Sequence, residues 1–191
     1  VPVNGVPIGQ GTEDWLDLPI NAYYGYNYSQ TIYLQSEINI ANKRISKIYY
    51  YWTGVEAAES SKDWVIYMGH TTITGFNTGN DWIPVSQMLE VFNGEVILPD
   101  VAGWVEIILD NPFNYNNTQN LVIAVDENTP DYDYGDFYGT ETIENRSLAY
   151  EDDDFNFDPE FPYEGYVVTG YANIRLQLEN LPAGPEFMVT P

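Results

Sequence analysis

Residues 121–138 read LVIAVDENTPDYDYGDFY, and the first five decide the fold. Leu121, Val122, Ile123, Ala124 and Val125 form an unbroken apolar run, short and rich in β-branched residues. That pattern predicts a strand buried on both faces. The run ends at Asp126, where a loop begins. It carries Glu127, Asp131, Asp133 and Asp136, interleaved with Tyr132, Tyr134, Phe137 and Tyr138. A buried strand that opens into clustered oxygen ligands predicts a sandwich whose loops hold an ion or a ligand.

Working outward, the same strand grammar recurs on both sides. Residues 29–34 (SQTIYL), 45–52 (ISKIYYYW), 64–69 (WVIYMG), 95–98 (EVIL), 104–109 (WVEIIL), 146–150 (RSLAY) and 173–178 (NIRLQL) are β-branched and aromatic. Gly, Asn, Asp and Pro separate them. Turn signals about every ten residues predict an all-β chain, a jelly-roll β-sandwich of about eight to ten antiparallel strands. No helix of ordinary length is expected. Trp64 and Trp104 are expected in the core, with Glu106 facing out. Residues 1–12 read as a linker or an edge strand, 13–180 as one β-sandwich domain, and 181–191 as a C-terminal linker.

Composition narrows the function. The chain of 191 residues has 29 acidic and 6 basic side chains and a formal charge of −23. Phosphate neutralisation needs Lys and Arg, so nucleic acid is excluded as a partner. An anionic membrane surface repels such a chain. No stretch approaches the ~20 apolar residues of a spanning helix, so no membrane insertion is expected. There is no cysteine, which removes disulfide scaffolds, thiolate chemistry and Cys-ligated zinc. The chain opens on Val1, so excision from a longer precursor is expected, with other domains of that precursor as partners. The domain itself is expected to be a monomer.

Three groups could carry chemistry. Asp131, Asp133 and Asp136 have the alternating oxygen spacing that folds around Ca²⁺, and Gly135 supplies a sharp turn. Asp126 at the strand end is the fourth expected ligand. The competing reading is a solvated loop of an acidic protein. Residues 151–165 (EDDDFNFDPEFPYEG) form a second acidic and aromatic loop, expected to close over the same end of the sandwich. Tyr24, Tyr26, Trp82, Tyr132, Tyr134 and Tyr138 are the expected ligand-binding residues. Aromatic faces stack on the C–H faces of a sugar while Asn, Asp and Gln bond its hydroxyls. The alternative is that they seal the ends of the sandwich. Catalysis has little support. The lone His70 lacks a nucleophile elbow to serve, and carboxylate pairs carry no information in so acidic a chain. The chain is therefore expected not to be an enzyme. The sequons at Asn27, Asn116 and Asn145 matter only in a glycosylating host.

Several motifs also resemble a known family. They are 23–33 (YYGYNYSQTIY), 44–48 (RISKI), 64–71 (WVIYMGHT), 82–85 (WIPV) and 120–128 (NLVIAVDEN). Together they resemble the adhesin-type modules of large secreted Bacteroidetes proteins, the cleaved-adhesin domains appended to gingipain-like proteases. The resemblance implies a jelly roll, type IX secretion, display at the cell surface or release, Ca²⁺, and a non-catalytic role. On that basis the chain is expected to be a Ca²⁺-stabilised accessory module. Its ligand would be a carbohydrate, extracellular matrix or a cell surface. The alternative is a structural spacer beside a secreted peptidase or glycoside hydrolase. The resemblance implies no particular binding residues.

Overall fold

Period-two alternation sorts the apolar side chains into two sheets that face each other. The computed structural model describes residues 5–54 and 57–182. Its long strands are β2 (Tyr26–Tyr33), β3 (Lys43–Trp52), β4 (Asp63–Thr71), β5 (Leu89–Glu95), β6 (Gly103–Tyr115), β7 (Asn120–Glu127), β9 (Ser147–Asp152) and β12 (Ile174–Asn180). Shorter ones are β1 (Gly5–Ile8), β8 (Gly139–Glu141), β10 (Tyr166–Val168) and β11 (Gly170–Ala172). One helical turn, Gln35–Ile38, follows β2. The expected all-β class is observed. The described strands exceed the expected eight to ten because three-residue ladders such as β8 and β11 are too short to leave a periodic signal.

A small sheet runs β1-β12-β3-β6 and a large one runs β10-β9-β2-β7-β4-β5. β8 and β11 form a separate two-stranded ladder. All pairings are antiparallel. The chain crosses between the sheets at β2–β3, β3–β4, β5–β6 and β6–β7, the alternation of a jelly-roll β-sandwich. The core between them takes Ile48, Tyr50, Trp52, Val105, Ile107 and Leu176 from the small sheet. The large sheet contributes Trp64, Ile66, Met68, Leu121, Ile123 and Val125. Strand β7 is central, paired with β2 on one side and β4 on the other, which explains why 121–125 is apolar on both faces. The edge strand β1 pairs with β12. Residues 1–4 of the expected N-terminal segment and 183–191 of the expected C-terminal linker lie outside the described residues.

The large sheet has a second apolar layer on its outer face. Tyr28, Ala124 and Phe157 pack there with Tyr67, Trp82, Val85, Met88 and Tyr150. Buried Gln30 pins this layer: its Nε2 donates to Ile83 O at 2.7 Å and its Oε1 accepts from Ile83 N at 2.9 Å. Both of its amide groups are thereby satisfied inside the protein, as burial demands.

Candidate functional site

The acidic loop that follows β7 is a structural junction. Asp133 spends its carboxylate on backbone amides, accepting from Glu59 N at 3.1 Å and Ser60 N at 2.8 Å. Its own N–H donates to Ala22 O at 2.7 Å. Asp131 accepts from the Tyr132 amide at 3.0 Å. Asp126 still belongs to β7 and faces the outer layer of the sheet, where Asn128 Nδ2 donates to its Oδ2 at 3.2 Å. Asp136 lies at another place, close enough to Asp17 and Asp14 for mutual repulsion. Burial pushes Asp17 up to about 6 with help from the Asp136 charge, and Asp136 is raised by burial and then by Asp14.

Calcium takes six to eight oxygens. Among the described residues no three acidic, histidine or cysteine side chains form a group that could hold a metal. The four expected ligands Asp126, Asp131, Asp133 and Asp136 therefore do not assemble one centre. Their closeness in sequence is undone by the strand, which sends Asp126 to a sheet face, and by amide bonds that occupy Asp133. The two acidic loops do meet as expected. Asn156 Nδ2 donates to Asn128 Oδ1 at 2.8 Å, and Gly25 N–H donates to Asp153 at 3.3 Å. A Cβ on Gly25 would stand 3.2 Å from Asp131 N and 3.4 Å from Asp153 O.

The expected ligand-binding aromatics fall into separate places. Trp82 lies in the outer layer, 4.9 Å from the Tyr28 ring and 5.7 Å from Phe157, with its indole N–H donated to Tyr163 O at 2.8 Å. It braces the loop over the sheet, so its expected ligand-binding face is occupied by protein. Tyr132 and Tyr134 are each 50% exposed and meet edge to face, Tyr134 also meeting Tyr23. Tyr24 is at the margin of exposure nearby, and Tyr26 opens β2 opposite Asp152. Tyr138 lies elsewhere, on the outer face of the small sheet.

That outer face carries a cleft of about 440 Å³, lined by Gly9, Gln10, Gly11 and Thr12, by Tyr51, Trp104 and Tyr138, and by Asn173 and Arg175. Its construction follows from alternation. In β3, Ile48, Tyr50 and Trp52 point into the core, so Tyr49 and Tyr51 point out. In β6, Val105 and Ile107 point in, so Trp104 points out beside Tyr51, its register partner. Trp104 is therefore not a core residue. It shares the face of Glu106, two positions along, whereas Trp64 is fully buried as expected. The segment after Gly135 then runs alongside the end of β3, with Tyr138 N donating to Tyr51 O at 2.9 Å. Phe137 enters the core against Trp52 and Trp64, and Tyr138 faces out.

The Tyr51 and Tyr138 rings stack at 5.3 Å and 11°, and Trp104 meets Tyr51 edge to face at 5.3 Å. The Arg175 guanidinium carbon lies 4.0 Å from the centre of the Trp104 ring. The rim loop is held by Asn173, whose Nδ2 donates to Gly11 O at 2.7 Å and whose Oδ1 accepts from Thr140 Oγ1 at 2.6 Å. Thr140 Oγ1 in turn accepts from the Gln10 and Gly11 amides. Gly9 has φ +86°, and a Cβ there would lie 2.3 Å from Asn173 Oδ1, so the rim needs glycine. No carboxylate lines the cleft. Glu106, the nearest on that face by register, accepts from Tyr49 Oη at 2.6 Å and Lys47 Nζ at 3.1 Å. Those contacts hold it ionised below the ordinary carboxylate range.

His70 has a structural setting. Its Nε2 accepts from Asn116 N at 3.1 Å, and its ring lies against Phe113 and Tyr115. Burial lowers its pKa. Asn27 of the first sequon is buried in β2, its Oδ1 accepting from Asn21 N at 2.8 Å.

No model of a known protein family matches the chain, and no curated protein matches it. One solved structure that it resembles contains the cysteine protease and lectin-like domains of Cwp84, a surface layer associated protein of Clostridium difficile. The TM-score is 0.45 at 8% identity over 82% of this chain. The chain spans 33% of the length of that structure. A likeness of that degree bears on neither ligand nor activity.

Proposed function

We propose that this domain is a non-catalytic carbohydrate-binding module of a secreted or surface protein, with its binding site in the Tyr51–Trp104–Tyr138 cleft. The observation that carries it is an aromatic-walled cleft with no carboxylate in its lining, on a chain of 29 acidic residues. Sugar recognition asks for apolar ring faces beside a few fixed polar groups, and here Asn173, Arg175 and the 9–12 backbone supply the latter. The exposed Tyr132 and Tyr134 lie instead in a loop crowded with Asp131, Asp133 and Asp136. The adhesin-like motifs accord with a place in a larger secreted protein.

Affinity electrophoresis through a panel of polysaccharides tests this. The wild-type chain is expected to be retarded on at least one of them, and Trp104→Ala to weaken binding by about tenfold or more, ~1.4 kcal/mol. A Tyr132→Ala/Tyr134→Ala variant is expected to bind normally. Loss in that variant with Trp104→Ala unaffected would move the site to the loop. No retardation on any polysaccharide would overturn the proposal and favour a structural spacer.

A further inference from the structure

We infer that the cleft takes an anionic saccharide, with Arg175 binding a uronate carboxylate or a sulfate ester on the sugar; this rests on the carbohydrate-binding role proposed above. The argument begins from the scarcity of cations. Of the 6 basic residues, Arg44, Lys47, Lys62 and Arg146 pair with Glu179, Glu106, Glu95 and Glu37. Lys43 donates to Asn180. Among the described residues, only Arg175 has neither an ion pair nor a side-chain hydrogen bond. Its contact is with the Trp104 ring.

That isolation is unusual in a chain of charge −23, where a carboxylate partner is easy to find. The other arginine–aromatic contact shows the contrast. Arg146 lies over Tyr171, yet its guanidinium is consumed by Ile32 O and by both oxygens of Glu37. Arg175 is half-buried in the lining of the cleft, held by an indole that leaves its N–H donors uncommitted. A guanidinium stacked on an aromatic ring is pre-organised and weakly hydrated, and its planar fork matches a carboxylate bidentately. Two other clefts among the described residues carry carboxylates: one is lined by Glu90, Asp158 and Glu160, and another, which shares Trp104, by Glu95 and Glu106. The chain as a whole repels a polyanion, and Glu106 shares this face. Binding through isolated acidic sugars or chain ends therefore suits it better than binding along a densely charged polymer.

The test leaves the protein intact and changes the ligand first. Calorimetric titration of the full chain with a galactan oligomer ending in one galacturonate, its methyl ester, the neutral galactan oligomer and the oligomer carrying one sulfate ester separates the cases. The acidic oligomer, the sulfated one or both are expected to bind about tenfold tighter than the neutral forms, and the carboxylate and sulfate arms tell the two anions apart. Arg175→Gln is expected to abolish that preference, so that charged and neutral oligomers bind alike. Arg175→Lys should keep part of it. Equal affinity for charged and neutral oligomers overturns the anion proposal while sparing the carbohydrate site. Binding to none of the four overturns the proposal, and the broader panel above then decides the fate of the site itself. If Arg175→Gln loses neutral binding too, or melts early, the ester comparison on the wild-type chain still decides.

Discussion

Asp126 and Glu127 adjoin in sequence but face opposite sides of one sheet, Asp126 toward the outer layer and Glu127 toward the interior. Each keeps a buried oxygen without a hydrogen-bond partner, Asp126 Oδ1 and Glu127 Oε2. Burial pushes both up to about 7, from ordinary values of 3.8 and 4.5. The folded chain therefore holds protons that the unfolded chain releases. Their contribution to stability is full below the unfolded values and is lost as pH rises through about 7. Asp17, raised to about 6, acts in the same sense. His70 opposes them, because burial lowers its pKa; its contribution is present above 6.5 and lost as pH falls below it. Three carboxylates outweigh one imidazole, so the melting temperature in metal-free buffer is expected to be higher at pH 5.5 than at pH 8. Asp126→Asn should flatten that slope, and a melting temperature that rises with pH over this range would refute it. Arg146 is the opposite kind of buried charge, 2% exposed and bonded to Glu37 through two nitrogens. Arg146→Ala leaves Glu37 unpaired and is expected to cost about 3 kcal/mol, the low end for a broken buried pair because Glu37 is partly exposed. The urea midpoint should fall with an unchanged slope.

At the scale of elements, the layer over the large sheet makes its own prediction. Phe157 stacks on Tyr28 at 4.8 Å and packs against Tyr150 and Trp82. Phe157→Ala is expected to release residues 153–164 without unfolding the sandwich, because Gln30 still pins the neighbouring 82–84 segment. Limited proteolysis should then cut within 153–164 while the strands resist, and a cooperative loss of the whole fold would contradict a separable layer. How far such elements could be read from sequence depended on one question, whether a side chain's face followed from its own strand. The run 121–125 was legible because a central strand is apolar on both sides. Trp104 was legible too, had its parity been compared with Glu106, since residues two apart share a face. The four expected metal ligands do not converge for a related reason: β7 turns Asp126 onto a sheet face, and backbone amides occupy Asp133. Of the cleft only Tyr138 was named from the sequence, as an aromatic expected to bind a ligand. The cleft joins residues 9–12, 51, 104, 138, 173 and 175, brought together by the pairing of β12, β3 and β6 and by the segment around Tyr138 that runs alongside β3.

For the whole molecule, the charge of −23 is the dominant fact. Few of the carboxylates have a cation to pair with, and no helix of the described residues is long and apolar enough to cross a membrane. A folded chain concentrates this charge more than an unfolded one, so self-repulsion destabilises the native state and salt relieves it. The screening length falls from ~30 Å at 0.01 M salt to ~8 Å at 0.15 M, less than the width of a sandwich, so most of the relief comes at low concentration. The melting temperature is accordingly expected to rise steeply with added NaCl and then level off near physiological strength. Calcium separates screening from a specific site. With no three acidic, histidine or cysteine side chains among the described residues grouped to hold a metal, CaCl₂ and MgCl₂ at equal ionic strength are expected to raise the melting temperature equally. EDTA should leave it unchanged. A site occupied at one hundred times its Kd would add ~2.7 kcal/mol for calcium alone. A rise with calcium that magnesium does not match, abolished by Asp126→Asn, would therefore restore the calcium centre at the end of β7 and assign the orphaned Asp126 Oδ1 as a ligand.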